Sequence, residues 1–456
     1  MSRRRHSLAR ILPLAWPVFI GQLAVLAYST IDTVLVARYG ALDLAALAVG
    51  NAMYTSVFVG LMGVVLAISP LAAQRFGARD LAGVGDSLHQ AVWLALGLTA
   101  LGEVLLLWPD PLLALARPEP AVEAIIRPHL LLLGLALPAA LLFAVYRGFN
   151  TAVSRPKAVM GLQLGGLALK LPLSALLIHG APGLMGWGGL GAPGGALSTA
   201  LVVWAQLACG LWLLRHDPHY RDFGLHTLGL RGLHRPHWPA IRQLLRLGLP
   251  MGASILIEVT GFTFMALFIA RLGATAVAGH QLAANLVAMM FMLPMALGNA
   301  TGALVGQRLG ARDPADARRL GWHGMELALA LAAALGATVF WLREPVLALY
   351  TTDAAILAAA APLLGWVWLF HLGDAGQAIA ASVLRAHHVT VAPMIVYALA
   401  IWGVGMGGGY WLAFAQPYAS LAGASGFWAA ASVSLALAAL GLGWVLAWLQ
   451  GRAGRA

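Results

Sequence analysis

The stretch from Leu249 to His280, "LPMGASILIEVTGFTFMALFIARLGATAVAGH", sets one acid, Glu258, in a run otherwise apolar enough to lie in lipid. About twenty apolar residues in a helix cross a hydrocarbon core of roughly 30 Å, and an ionised group at its centre is costly. Reading this run as a membrane span decides the fold and makes its carboxylate a first candidate for function.

The rest of the chain agrees with that reading. Of 456 residues, 61% are hydrophobic and 10% charged, too few polar groups to coat a soluble particle of this size. Twelve apolar runs are predicted to span, at about 10–37, 45–72, 84–108, 124–147, 158–180, 191–214, 241–270, 277–305, 318–342, 356–384, 391–415 and 424–449. No stretch is left for a soluble domain. The first run holds Pro13 and Pro17 and lacks a small-residue cleavage site, so it reads as a retained helix rather than a secretory signal.

The net charge of +11 is placed in clusters between alternate spans. If the N-terminus is cytoplasmic, that face carries Arg75, Arg79, Arg147, Arg155, Arg215, Arg231, Arg308, Arg312, Arg385, Arg452 and Arg455 among others. The opposite face has only Arg38, Arg117, Arg127, Arg271 and Arg343. The positive-inside bias puts both termini in the cytoplasm. Binding to nucleic acid would need a basic face with interleaved aromatics, and none is present.

"QRFGARD" at 74–80 returns as "QRLGARD" at 307–313, an offset of 233 (307 − 74). Pro17 and Pro250, and Arg38 and Arg271, keep the same register. Six spans separate the copies, so both halves cross in the same sense, as in parallel-repeat transporters. The expected lobes are 1–225, the N-terminal six helices with a linker, and 226–456, the C-terminal six. The linker, Arg215 to Pro239, holds His216, His219, His226, His234 and His237, whose spacing fits no zinc pattern; it reads as a solvated loop. No metal is assigned there. Cys209, the single cysteine, lies in the sixth span and reads as packing.

Asp32, Lys170, Glu258 and Asp374 lie well inside helices, where snorkelling does not reach the interface. Glu103 and Glu326 are nearer the helix edges, where interfacial water can solvate them. A lone membrane carboxyl can be a neutral packing group, since burial disfavours the charged form. Several acids divided between repeated halves, beside helix breakers such as Pro172 and Pro294, point instead to a cavity and a coupling ion. His371 and Asp374 in "HLGD" share a helix face but are two ligands, too few for a metal site. Tyr28, Phe262, Met289 and Met292 are candidate lining for flat cationic cargo, with lipid or helix packing as the plainer reading of each. Trp108, Trp187 and Trp341 suit an interfacial belt.

The run from Leu249 through "QRLGARD", with "STIDTVLVARYG" before it and "HLGDAGQAIAASVLRA" after it, resembles the multidrug and toxic compound extrusion family, NorM-like branch, nearly end to end. The resemblance implies an all-α fold of twelve transmembrane helices in two pseudo-symmetric lobes, in the bacterial inner membrane. It implies a monomeric antiporter, not an enzyme, exporting drugs and organic cations in exchange for Na⁺ or H⁺ and needing no cofactor. By motif position Asp32 resembles the family's first-helix aspartate, and Glu258 and Asp374 its C-terminal cation site, where Na⁺ is one possible occupant. Gln281 and Gln377 fall in the same motifs as polar lining.

The fifth span, "GLALKLPLSALLIHG", departs from that pattern: where the branch usually reads Asn-x-Pro-Leu-Asn, this chain has Lys170 and Ser174. At 1.5 Å rise per residue, Asp32 and Lys170 fall within about 6 Å in depth, so an ion pair is expected, with coupling left mainly to Glu258 and Asp374. A membrane transferase or hydrolase lacks a nucleophile motif or phosphate loop here. The alternative function is a lipid-linked oligosaccharide flippase of the same wider superfamily. Such flippases line their cavity with arginine, whereas this chain keeps arginine almost wholly at span ends.

Overall fold

Each apolar run forms a helix because a backbone in lipid must satisfy its own hydrogen bonds. The computed structural model describes residues 3–181, 188–225, 232–416 and 418–453. Trp187, His226, Arg231 and Arg455 lie outside the described residues, as does position 226 at the start of the second expected lobe. Among the described residues, twelve helices are long and apolar enough to cross a membrane. They are α1 (Arg4–Tyr39), α2 (Ala41–Gly77), α3 (Leu81–Leu107), α4 (Pro120–Ala152), α5 (Pro156–His179) and α6 (Ala192–His216), then α7 (Trp238–Ala270), α8 (Ala274–Gly310), α9 (Pro314–Trp341), α10 (Ala354–Ala386), α11 (Val391–Ala415) and α12 (Ala424–Arg452). Most of α11 is π-helical, over Ala398–Gly408 and Trp411–Ala415.

The chain divides into two compact units, Ile20–Gly252 and Met1–Phe19 with Ala253–Ala456. Both crossings between units fall inside a helix, in α1 and in α7, two residues after Pro17 and Pro250 respectively. Proline removes a ladder hydrogen bond at each place.

Within Ile20–Gly252, α4 is the central helix, packing on α2, α3 and α6. Leu130, Leu137, Leu141, Val145 and Phe149 on α4 are fully buried. Within the other unit α10 has the same place, against α8, α9 and α12. Its small residues Gly373 and Gly376 let α12 approach: a Cβ on Gly373 would come 2.7 Å from the Ala436 nitrogen.

The repeat is visible in its turns. After α2, Asp80 N–H bonds Arg75 O and Arg79 N–H bonds Phe76 O; after α8, Asp313 bonds Arg308 and Arg312 bonds Leu309 in the same way. These are helix-ending pairs around one left-handed residue, here Arg79 (φ 60°) and Arg312 (φ 58°) rather than glycine. Ser154 after α4 and His388 after α10 repeat the device. Asp80 and Asp313 then cap the next helix, accepting from Gly83 N–H and Asp316 N–H at 3.0 Å.

Among the described residues of the linker, His216, His234 and His237 are exposed, as expected of a solvated loop, while other groups dock on the helices. Pro218–Phe223 is a 3₁₀ turn whose Tyr220 and Phe223 are buried, with Tyr220 donating to Asn150 Oδ1 at 2.5 Å and Arg155 paired with Asp217. Gly85 on α3 makes room for it, since a Cβ there would meet Phe223 O at 1.9 Å. Further along, Trp93 donates to His234 O, Gln90 donates to Arg235 O and accepts from His237 N–H. The expected solvated loop thus uses its aromatic and backbone groups against α3 and α4. Cys209 is exposed on α6 rather than packed inside.

Candidate functional site

The C-terminal acids meet around one amide. Asp374 and Gln377 lie one turn apart on α10, and Asp374 is buried at 4% exposure. Gln377 Nε2 donates to Asp374 Oδ1 at 3.0 Å and to Glu258 Oε1, on α7, at 3.3 Å. Its Oε1 accepts from the hydroxyl of Tyr397, on α11. Both amide protons and the amide oxygen are therefore used, which fixes the amide's orientation. Tyr397, itself buried, was not singled out by sequence reasoning; an isolated tyrosine ahead of "ALAIWGVG" gives no sign of its partner. No hydrogen bond reaches the second oxygen of either carboxyl among the described residues, so two oxygens remain for a proton or a hard cation.

Around this centre, Phe262 is half-buried one turn after Glu258 and packs edge-on to Phe370 with ring centroids 5.8 Å apart. His371 is fully buried, and neither ring nitrogen has a hydrogen-bond partner among the described residues. His280 is also buried, its Nδ1 accepting from Trp428 Nε1 at 3.2 Å. Gln281 and Met289 are exposed on α8, and Met292 is half-buried. None of these three is brought into hydrogen bonding with the acids.

The N-terminal pair forms a separate centre in the other unit. Lys170 on α5 is fully buried and its Nζ lies 2.7 Å from Asp32 Oδ2 on α1. The ammonium also meets Thr199 Oγ1 at 2.6 Å, Ser198 Oγ at 2.8 Å and Gly195 O at 3.1 Å, all on α6. Ser174, one turn after Lys170, donates to the other Asp32 oxygen at 2.9 Å. Three ammonium protons are thus shared among four oxygens. Each charge faces its opposite and further oxygens of the chain, which is the condition for a buried pair to persist.

Tyr28 belongs to a third cluster, four residues before Asp32. Its hydroxyl donates to Gln163 O and accepts from Gln206 Nε2, both at 2.8 Å, tying α1 to α5 and α6. Gly166 is the floor of this knot: a Cβ there would come 2.2 Å from Gln206 Nε2 and 2.3 Å from the Tyr28 hydroxyl. Glu103 is half-buried on α3, and Glu326 pairs at the surface with Arg4 at 3.3 Å. Among the described residues no group of three or more His, Cys, Asp or Glu is placed to hold a metal ion.

Comparison with known proteins agrees with this architecture. The family described as MatE matches residues 17–176 and again 250–411, the two starts 233 residues apart (250 − 17). The chain is 42% identical over 438 residues to the "Probable multidrug resistance protein NorM" of Aromatoleum aromaticum, covering 96% of this chain and 93% of that one. It is 37% identical over 445 residues to the "Multidrug resistance protein PmpM" of Pseudomonas aeruginosa, covering 96% and 91%. Among solved structures, "MATE in complex with MaD3S" superposes with a TM-score of 0.87 at 19% identity, covering 99% of this chain and 97% of that one. The "eukaryotic MATE transporter AtDTX14" gives 0.85 at 18% identity, covering 97% and 96%.

Proposed function

We propose, from the premise that this chain belongs to the MatE family, that it exports organic cations and related amphiphiles in exchange for Na⁺ or H⁺. It is a multidrug resistance transporter of the NorM, PmpM and MdtK kind, a multi-pass membrane protein acting on small molecules without covalent chemistry. Its place is the bacterial inner membrane, with both termini cytoplasmic, as a monomer of two six-helix lobes that alternate between inward- and outward-open states.

The observation that carries the coupling mechanism is Gln377 spanning Asp374 and Glu258. An amide held between two carboxyls, with an oxygen of each left over, can accept one small positive ion and register its departure as a rearranged hydrogen bond. Ion entry at this pair favours release of the drug, and drug binding favours release of the ion. That antagonism is reciprocal by thermodynamic necessity. At the other centre the positive charge beside Asp32 belongs to the chain itself, through Lys170, so Asp32 supports the lobe rather than carrying the coupling ion. Phe262, Met289, Met292 and Gln281 line the path for cargo, while Tyr28 contributes its ring, its hydroxyl being committed.

Drug efflux in everted vesicles, driven by a Na⁺ gradient or by a pH gradient, tests this reading and chooses the ion. Glu258→Gln and Asp374→Asn are expected to abolish gradient-driven efflux. Efflux equal with and without gradients would exclude the coupled mechanism. Loss of ion-driven transport in Asp32→Asn with Glu258→Gln intact would move the coupling ion to the wrong centre for this proposal.

A further inference from the structure

A cleft of about 450 Å³ opens at one end of the spans, where α1 begins, α8 ends and α9 begins; it is lined by His6, Arg10, Arg308, Asp313, Asp316 and Arg319. Three guanidiniums converge there on one carboxylate. Arg10 Nη1 and Arg308 Nε lie 2.7 and 3.2 Å from Asp316 Oδ2, and Arg319 Nη2 lies 3.6 Å from Oδ1. The second acid, Asp313, is committed to its own helix by the cap to Asp316 N–H. The cleft therefore holds three positive charges against two negative ones, before any charge on His6. Each guanidinium carries five N–H donors, far more than one carboxylate can receive. Arg10 and Asp316 are largely covered, at 18% and 15% side-chain exposure, whereas Arg308 and Arg319 reach solvent at 41% and 43%.

The matched junction in the first half shows that the turn does not require this excess. Positions 308, 313, 316 and 319 correspond to Arg75, Asp80, Gly83 and Asp86, one positive charge against two negative. Arg75 is absorbed locally, donating to Gly83 O at 2.6 Å and Ser87 Oγ at 2.8 Å. The two junctions share the left-handed arginine and the aspartate cap. At the second, the arginines gather around a cleft.

We propose that this cleft binds a phosphate group, with Arg308 and Arg319 as its anchors and the Arg10–Asp316 pair as the wall behind them. A planar guanidinium matches two phosphate oxygens at once, and the ends of membrane helices lie at the depth of lipid headgroups. The phosphate belongs either to the headgroup of an anionic lipid or to a soluble phosphate; the chemistry of recognition is the same.

The test uses the full-length protein in phosphatidylcholine nanodiscs, with thermal unfolding followed by tryptophan fluorescence. One arm titrates inorganic phosphate at constant ionic strength set with chloride; the other raises the fraction of phosphatidylglycerol in the disc. A saturable rise of the midpoint in the wild type is expected. It identifies a soluble phosphate if seen with inorganic phosphate, and a lipid headgroup if confined to phosphatidylglycerol. The response should vanish in Arg308→Gln/Arg319→Gln and persist in Arg221→Gln/Arg242→Gln, which removes the same charge elsewhere. In Arg308→Lys/Arg319→Lys, charge is kept and the fork is lost, so half-saturation should require about tenfold more ligand. The proposal is overturned by no saturable response in the wild type in either arm, by an unchanged response in the glutamine pair, or by equal loss in the distant pair. Should the glutamine pair fail to fold, an unchanged half-saturation in the lysine pair overturns it instead.

Discussion

Lys170 Nζ lies 2.7 Å from Asp32 Oδ2 although 138 residues separate them in the chain, and the two are 0% and 6% exposed. Breaking such a buried pair on one side costs about 3 to 5 kcal/mol, because the remaining charge is left uncompensated. Replacing both partners by neutral groups of similar shape costs far less. Lys170→Met should therefore lower the melting midpoint sharply, and Lys170→Met/Asp32→Asn should recover part of the loss. A double-mutant cycle of thermal unfolding in detergent measures this coupling; equal and additive losses would mean that the two side chains are independent.

The Tyr28–Gln206 knot makes adjacent glycines unequal. An added Cβ at Gly166 would overlap Gln206 and Tyr28, while at Gly165 it meets nothing within 4 Å. Gly166→Ala should destabilise by about 1 to 3 kcal/mol through forced displacement of the knot. Gly165→Ala should be neutral or stabilising by up to ~1 kcal/mol, as expected for alanine in a helix. Parallel melting curves of the two variants check the contrast.

Tyr397→Phe removes the hydroxyl that holds the Gln377 oxygen. The lost hydrogen bond should cost only about 1 kcal/mol of stability, yet it releases the amide that spans the two acids. Half-maximal ion concentration for drug exchange should change several-fold while maximal exchange of a saturated transporter is retained. Flux assays at graded ion concentration read this directly.

Beyond the α10 span, burial holds the His387 imidazole below its ordinary pKa of 6.5, with neighbouring His388 adding to the effect. The folded chain then binds this proton less readily than the unfolded chain. The associated stability is full above the unfolded value of about 6.5 and is lost as pH falls through the lower folded value. His387→Gln should flatten the fall of the melting midpoint below about pH 6.5. An unchanged slope would show that other groups set the acid limit.

The depth of Asp32 and Lys170 was readable because helical rise converts residue number into distance along a span. Asp374 and Gln377 were readable as neighbours because three residues make one turn. Tyr397, Ser198 and Thr199 were not, since joining them to the acids and to Lys170 requires the rotation of separate helices about their own axes. Apolar sequence scarcely records that rotation. Gln281 and Met289 show a related limit: motif position places them on α8, and both are exposed there without a hydrogen bond to the acids. The linker was legible in part: His216, His234 and His237 are exposed, as turn-rich composition suggests, while Tyr220, Phe223 and the backbone of His234 and Arg235 find partners on α3 and α4. The left-handed residues were hidden too, because a glycine lies two positions earlier in both copies of the repeat while the arginines take the strained conformation.

The crossings at Phe19 and Gly252 give the polypeptide an unusual relation to its own halves. A cut in the α6–α7 connection would yield two fragments, yet neither would be a free-standing half. The front fragment would keep its first residues within the rear body, and the rear fragment would leave the start of α7 within the front one. Each piece would carry a segment that completes the compact unit of the other, so separately expressed halves should find one another without a covalent tether.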